Sequence, residues 1–203
     1  IINGYLNQKS WIFLKDKYSH YTNSGYLTIF FGDSMTENLQ TCLNNSDSIL
    51  NMGIGGDFSE GLIERASDVT RLSPDNLFIM IGVNDVLADL PVTQIQKNYE
   101  MLIDIIKTQS PKTTIFIQST LPVRSMTGKS RFMRRCNTNI ASLNNFLYKL
   151  TEEKRITYID MYSTFLNTDN DLKIELTTDG IHLNQKGYSI WKNYLNQYLK
   201  MPK

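Results

Sequence analysis

The chain has 203 residues, 41% of them hydrophobic and 20% charged, with a formal net charge of +1. Those totals suit one globular domain over 1–203, with residues 1–25 as a helical extension ahead of its first strand. They exclude bulk charge attraction to nucleic acid or an acidic membrane surface, and no run of about 18 apolar residues offers a transmembrane segment. Two cysteines, Cys42 and Cys136, have neither metal-like spacing nor a disulfide framework and read as buried thiols. With no signal-peptide pattern at Ile1, the expected compartment is the cytoplasm. Nothing in the sequence sets an oligomeric state.

In chain order, Trp11, Leu14, Tyr18 and Tyr21 suggest a first helix. Strand-like apolar runs follow at 26–31 and 48–52, then a short helix at 59–71 and a third strand at 76–81. Ile95, Tyr99, Leu102 and Ile106 are spaced 4, 3, 4 and predict a helix, with Thr93 and Gln96 as its capping box. A strand at 113–118 comes next. A helix with Ile140, Leu143, Leu147 and Leu150 follows, then a strand at 156–161 and a last helix on Tyr188, Trp191, Leu195 and Tyr198. The first, third and fourth strands are apolar at nearly every position, as strands covered on both faces are. Strands alternating with helices predict an α/β fold, a parallel sheet with helices on both faces. Five strands suit the flavodoxin-like order 2-1-3-4-5, which puts ligands beyond the carboxyl ends of strands 1 and 3.

The first of those loops contains GDSM, residues 32–35. Gly32 allows a tight turn, and Ser34 is either a helix N-cap or a nucleophile. The other is GVND, residues 82–85, where Asn84 is either a turn residue or a side-chain donor to an oxyanion. After strand 2, NMGIGGDFSEG (51–61) lacks both phosphate-loop patterns, and its glycines can bare a backbone N–H. The chain has two histidines. His20 reads as structural. His182, in DGIHLNQKGY (179–188), has Asp179 three residues before it, a spacing that lets a carboxylate hold an imidazole that serves a serine as base. Read singly, His182 could equally be a solvated surface residue. Together the segments supply a nucleophile, a base, an acid and oxyanion donors, the set acyl transfer needs.

In order and spacing, GDSM, GIGGD, GVND and DGIH resemble the four sequence blocks of the SGNH (GDSL) hydrolases, over residues 29–188. The resemblance implies a three-layer α/β/α sandwich and an esterase without metal or cofactor. By position it gives Ser34 as nucleophile, His182 as base and Asp179 as the acid orienting it. The oxyanion hole is then the Ser34 and Gly56 N–H groups and the Asn84 side chain. Gly56 is chosen over Gly55 because the family's glycine directly precedes an Asp. Met35 replaces the Leu of the family's short name.

Within the family, NMGIGGD and GVND look most like the platelet-activating-factor acetylhydrolase-like and carbohydrate O-acetylesterase branch. That branch includes the esterase domain of bifunctional bacterial CMP-sialic acid synthetases. The expected partner is a small ester substrate, an acetylated sugar or a lipid, with the acetylated sugar preferred. The other readings are an acyl thioesterase or lysophospholipase, and a non-catalytic binding domain on the same fold. The stretch LPVRSMTGKSRFMRR (121–135) reads as a long loop with five cations, Arg124, Lys129, Arg131, Arg134 and Arg135. It is either a solvated basic loop or a binding surface for a carboxylate or phosphate on the substrate, such as that of sialic acid.

Overall fold

The structure, a computed structural model, describes residues 9–22, 27–40, 43 and 48–199. Cys42, and Tyr26 at the start of the first expected strand, lie outside them. Five parallel strands, β1 (Thr28–Gly32), β2 (Ile49–Gly53), β3 (Asn76–Met80), β4 (Thr114–Gln118) and β5 (Thr157–Ile159), form one sheet in the order β2-β1-β3-β4-β5. This is the expected order. β1 and β3 are buried at every position, which is why their sequences are apolar throughout rather than alternating.

Successive strand residues point to opposite faces and feed two separate cores. Phe30, Phe78 and Phe116 stand side by side across β1, β3 and β4. Their rings stack at 4.9 and 4.4 Å between centroids. On that face they meet α2 (Ser34–Leu39), α8 (Tyr162–Phe165) and α9 (Gln185–Leu199) through Leu39, Phe165 and Trp191. The residues between them, Ile29, Phe31, Leu77, Ile79, Ile115 and Ile117, face the other core. There they meet α1 (Lys9–Ser19), α3 (Ser59–Glu64), α4 (Ala66–Thr70), α5 (Val83–Leu87), α6 (Val92–Gln109) and α7 (Arg131–Lys154). Helices on both faces of a parallel sheet make the three-layer α/β/α sandwich.

Two features differ from the sequence reading. The helix expected over 59–71 is broken in two at Arg65, whose backbone leaves helical geometry (φ −114°, ψ 14°) as its side chain turns fully inward. The Thr93–Gln96 capping box does not form. Helix α6 begins one residue before Thr93, with Pro91 at its cap, where the ring fixes φ near the helical value without a side-chain bond. Cys136 is buried as expected, on the sheet-facing side of α7. Among the described residues no helix is long and apolar enough to cross a membrane.

The phenylalanine ladder fills the space between three strands and three helices, so its centre has little room to collapse around a deletion. Phe78→Ala is expected to cost about 3–5 kcal/mol of stability. Urea denaturation checks this: the midpoint falls while the slope stays close to that of the unaltered protein.

Candidate active site

β1 delivers the chain to the carboxyl edge of the sheet, and its last residue has no room for a side chain. A Cβ on Gly32 would lie 2.2 Å from the Met80 carbonyl oxygen and from Thr36 Oγ1. Close approach is therefore the reason for glycine here, and not the tight-turn conformation expected from the sequence. Asp33 follows in extended geometry and caps α2, its Oδ1 accepting from the Met35 N–H at 2.9 Å. The N-cap expected as one use of Ser34 is thus supplied by its neighbour. Ser34 is the first residue of α2, half-buried, and its Oγ lies 2.9 Å from His182 Nε2.

His182 is held by Asp179 three residues earlier. Asp179 Oδ2 lies 2.6 Å from His182 Nδ1, while Oδ1 accepts the backbone N–H groups of Ile181 and His182 at 2.9 and 2.7 Å. With the carboxylate as acceptor, Nδ1 carries the ring proton and Nε2 is left to accept from Ser34. Burial raises the Asp179 carboxyl, but the His182 ring and those two N–H donors outweigh it and hold the group below the usual carboxylate range.

The loop itself is pinned on two sides. Thr177 Oγ1 donates to the His182 carbonyl at 2.7 Å and accepts from Gly180 N–H at 2.9 Å. Arg124 N–H donates to the Gly180 carbonyl at 2.8 Å. Gly180 has φ +91°, and a Cβ there would sit 2.2 Å from the Arg124 carbonyl oxygen, so both conformation and space require glycine.

The two segments expected to supply oxyanion donors arrive from β2 and β3. A Cβ on Gly55 would stand 3.9 Å from Ser34 Cβ, so the glycine loop passes beside the serine, and Gly56 follows with left-handed backbone (φ +77°). Asn84 sits in the first turn of α5, half-buried, and its Nδ2 donates to the Asp57 carbonyl at 2.9 Å. That bond takes one of the two amide protons and fixes the plane of the other. The approach to α5 is set by Tyr99, whose hydroxyl bonds both the N–H and the carbonyl of Ile81. Beneath the site lie the buried carboxyls of Asp33, Asp57 and Asp85. Burial pushes Asp33 up to about 7, the Met35 N–H opposing and the other two acids adding. Burial likewise lifts Asp85 to about 6 against the pull of Ser59.

The five cations do not form one loop. Ser130 caps α7, and Arg131, Arg134 and Arg135 stand exposed on its first turns. Arg135 pairs with Asp89 at 3.1 Å and lies over the Phe132 ring. Arg124 turns its guanidinium to the Leu172 carbonyl at 2.8 Å, a structural use. Lys129 is exposed just before α7. His20 sets its Nδ1 against the Asp16 carbonyl.

A small cavity of about 10 Å³ lies against residues flanking the three central side chains. Asp33 and Met35 bracket Ser34, Val83 precedes Asn84, and Ile181 precedes His182. Met80, Leu121 and Pro122 close it. Sequence reasoning missed this cavity, and also the roles of Asp33 as cap and Thr177 as loop brace. The acid of GDSM was the available signal for the cap, since Asp and Ser are equally good N-caps.

Comparison with known proteins bears on the family and the fold. The sequence model of the GDSL-like lipase/acylhydrolase family matches residues 30–190. An N-acylneuraminate cytidylyltransferase of Streptococcus agalactiae serotype V is 26% identical over 175 residues, 86% of this chain and 39% of the relative. The chain thus spans about two-fifths of the length of the curated relatives it matches. Among solved structures, a Streptococcus pneumonia protein described as a candidate platelet activating factor is 28% identical with a TM-score of 0.84, covering 97% of this chain and 95% of that one. An acetylxylan esterase from Geobacillus stearothermophilus, solved as a catalytic mutant, shares the fold at 19% identity and a TM-score of 0.67, covering 89% of this chain and 96% of that one. With its sheet order, its serine–histidine–aspartate line and a family match over most of its length, the chain belongs to the GDSL-like lipase/acylhydrolase family.

Proposed function

We propose that the protein is a serine esterase that removes short acyl groups, acetyl above all, from a carbohydrate by way of an acyl-enzyme. The observation that carries the reading is the line from Ser34 Oγ through His182 to Asp179, with the serine hydroxyl released from capping by Asp33. In this mechanism His182 Nε2 takes the Ser34 proton as Oγ attacks the ester carbonyl. The Ser34 and Gly56 N–H groups and the Asn84 amide hold the oxyanion, with the positive end of α2 beside it. The imidazolium, stabilised by Asp179, returns the proton to the departing alcohol, and water activated by the same histidine clears the acyl group.

A short acyl group is supported by a structural relative named as an acetylxylan esterase. The sugar is supported by the relatives: the streptococcal enzymes are named for an N-acylneuraminate, an anionic acylated sugar, and one structural relative is named for acetylxylan. Arg131 and Arg134 support an anionic one. They stand on the first turns of α7, which Asn137 ties to Val123 at 2.8 Å in both directions, next to the Arg124–Gly180 bond of the catalytic loop.

Three outcomes are expected. Ser34→Ala folds and loses on the order of a million-fold in turnover; near-normal hydrolysis of p-nitrophenyl acetate by the pure variant would reject the nucleophile. Across p-nitrophenyl esters, kcat/KM drops by about 10-fold or more between acetate and butyrate, the usual penalty for methylenes that do not fit. A maximum at octanoate or decanoate would instead favour the lipase or thioesterase reading. An O-acetylated sialic acid is preferred over a neutral O-acetyl hexose by roughly 10- to 150-fold, the worth of a charged hydrogen bond of about 1.5–3 kcal/mol. Joint replacement Arg131→Gln and Arg134→Gln removes that preference and spares p-nitrophenyl acetate. Equal kcat/KM for both sugars in the unaltered enzyme would return these cations to a solvated surface role.

A further inference from the structure

Arg65 is fully buried at the break between α3 and α4, far from water for a group that is always charged. Its guanidinium takes three partners from three separate segments. Nε donates to Asp57 Oδ2 at 2.9 Å, NH1 to the Met52 carbonyl at 2.5 Å and NH2 to the Gly32 carbonyl at 2.8 Å. NH2 also lies 2.7 Å from Asp57 Oδ2, and the group sits over the Phe31 ring at 4.4 Å. Asp57 is held from two further directions, by Trp11 Nε1 of α1 at 3.2 Å and by the Phe58 N–H at 2.9 Å. The carbonyl of this same residue accepts from Asn84 Nδ2.

Every segment that supplies an oxyanion donor therefore ends on this clamp. Gly32 stands two residues before Ser34, Asp57 directly follows Gly56, and Asn84 bonds the Asp57 carbonyl itself. Met52 anchors the strand that leads into the glycine loop. A buried ion pair is a weak source of stability, because packed apolar side chains often replace one without loss. A planar fork with fixed donor directions does what apolar packing cannot: it sets the relative positions of three backbones.

We propose that Arg65, acting through Asp57, is a positioning residue that registers the oxyanion donors against Ser34, with Trp11 of α1 as its second support. The inference rests on the oxyanion reading of Gly56 and Asn84 given above. It also makes α1, which lies ahead of the family match at residues 30–190, a working part of the catalytic unit.

Arg65→Lys keeps the charge and loses the fork. It is expected to lower kcat on p-nitrophenyl acetate by on the order of 10- to 100-fold, the penalty for misplacing a catalytic group by about an ångström, with KM changed far less. A purely structural residue would lower the amount of folded enzyme and leave the kcat of the folded fraction intact, so turnover is expressed per active site after burst titration. The deciding measurement is a double-mutant cycle with Asn84→Ala. If the clamp works through Asn84, the Arg65→Lys penalty shrinks in the Asn84→Ala background. If the two penalties multiply in full, the inference is overturned while the oxyanion role of Asn84 stands. If Asn84→Ala alone leaves kcat unchanged, both fall. A parallel cycle with Trp11→Phe, which deletes one donor to Asp57 and keeps an aromatic ring on α1, reads the same coupling in a variant whose ion pair is intact. The same shrinkage is expected there, and full multiplication again overturns the inference.

Discussion

The 2.9 Å contact between Ser34 Oγ and His182 Nε2 joins residues 148 positions apart, and much of the fold can be understood as what keeps it short. A strand-end serine can meet a histidine from the other end of the chain only if both reach the same edge of the sheet. Parallel strands meet that condition, since every carboxyl end lies on one side. The sheet fixes the serine side through the buried strands β1 and β3. The histidine side has no strand in the sheet; its loop is closed by an isolated antiparallel bridge between Thr177 and Leu183 and braced by backbone and side-chain bonds. Asn137 and Asn144, seven residues apart on one face of α7, each bond both backbone groups of one residue after β4, Val123 and Thr120. That segment then holds Gly180 through Arg124, and Gly180 lies between Asp179 and His182. Two buried asparagines thus tie the segment that braces the His182 loop to α7.

The site concentrates buried acids. Asp33, Asp57 and Asp85 each lie directly beside a proposed catalytic group, at Ser34, Gly56 and Asn84. Each is satisfied by donors that also define local shape: Asp33 accepts from Met35 N–H, Asp57 from Arg65 and Trp11, Asp85 from the N–H and hydroxyl of Ser59. A carboxylate is a strong acceptor that fixes several donors at once, and burial makes each of those bonds costly to break. The energy stored there is directed at geometry, because each acid holds one turn of the carboxyl edge.

Much of this was legible in the sequence, for identifiable reasons. Buried parallel strands leave continuous apolar runs, so the strands could be read from residues such as 76–81, and their order from the flavodoxin-like arrangement that five of them suit. The Asp179–His182 contact could be read because the two residues are three apart in one loop, and its link to Ser34 only from the four segments taken together. Other features depend on contacts that no local pattern encodes. Asp33 and Ser34 are adjacent and equally suited to cap a helix; the choice is made by His182, far along the chain. The pattern over 59–71 is periodic enough for one helix, and the break at Arg65 arises from partners at Gly32, Met52 and Asp57. The first turns of α7 are basic and lack an apolar period, so Arg131, Arg134 and Arg135 read as loop, although Ser130 is a sound cap signal. The small cavity comes from four segments, at Asp33, Met80, Leu121 and Ile181, and has no signature in any one of them.

The central claim is that one serine hydroxyl, activated by His182, is the nucleophile. A fluorophosphonate tests it most directly, since such reagents modify a serine only where a neighbouring base and an oxyanion hole make it reactive. The labelled protein is digested and the modified peptide identified by mass spectrometry. The account predicts one phosphonate per chain, on Ser34, and loss of labelling in His182→Ala. No labelling of the folded protein, or a label on another residue, would contradict it.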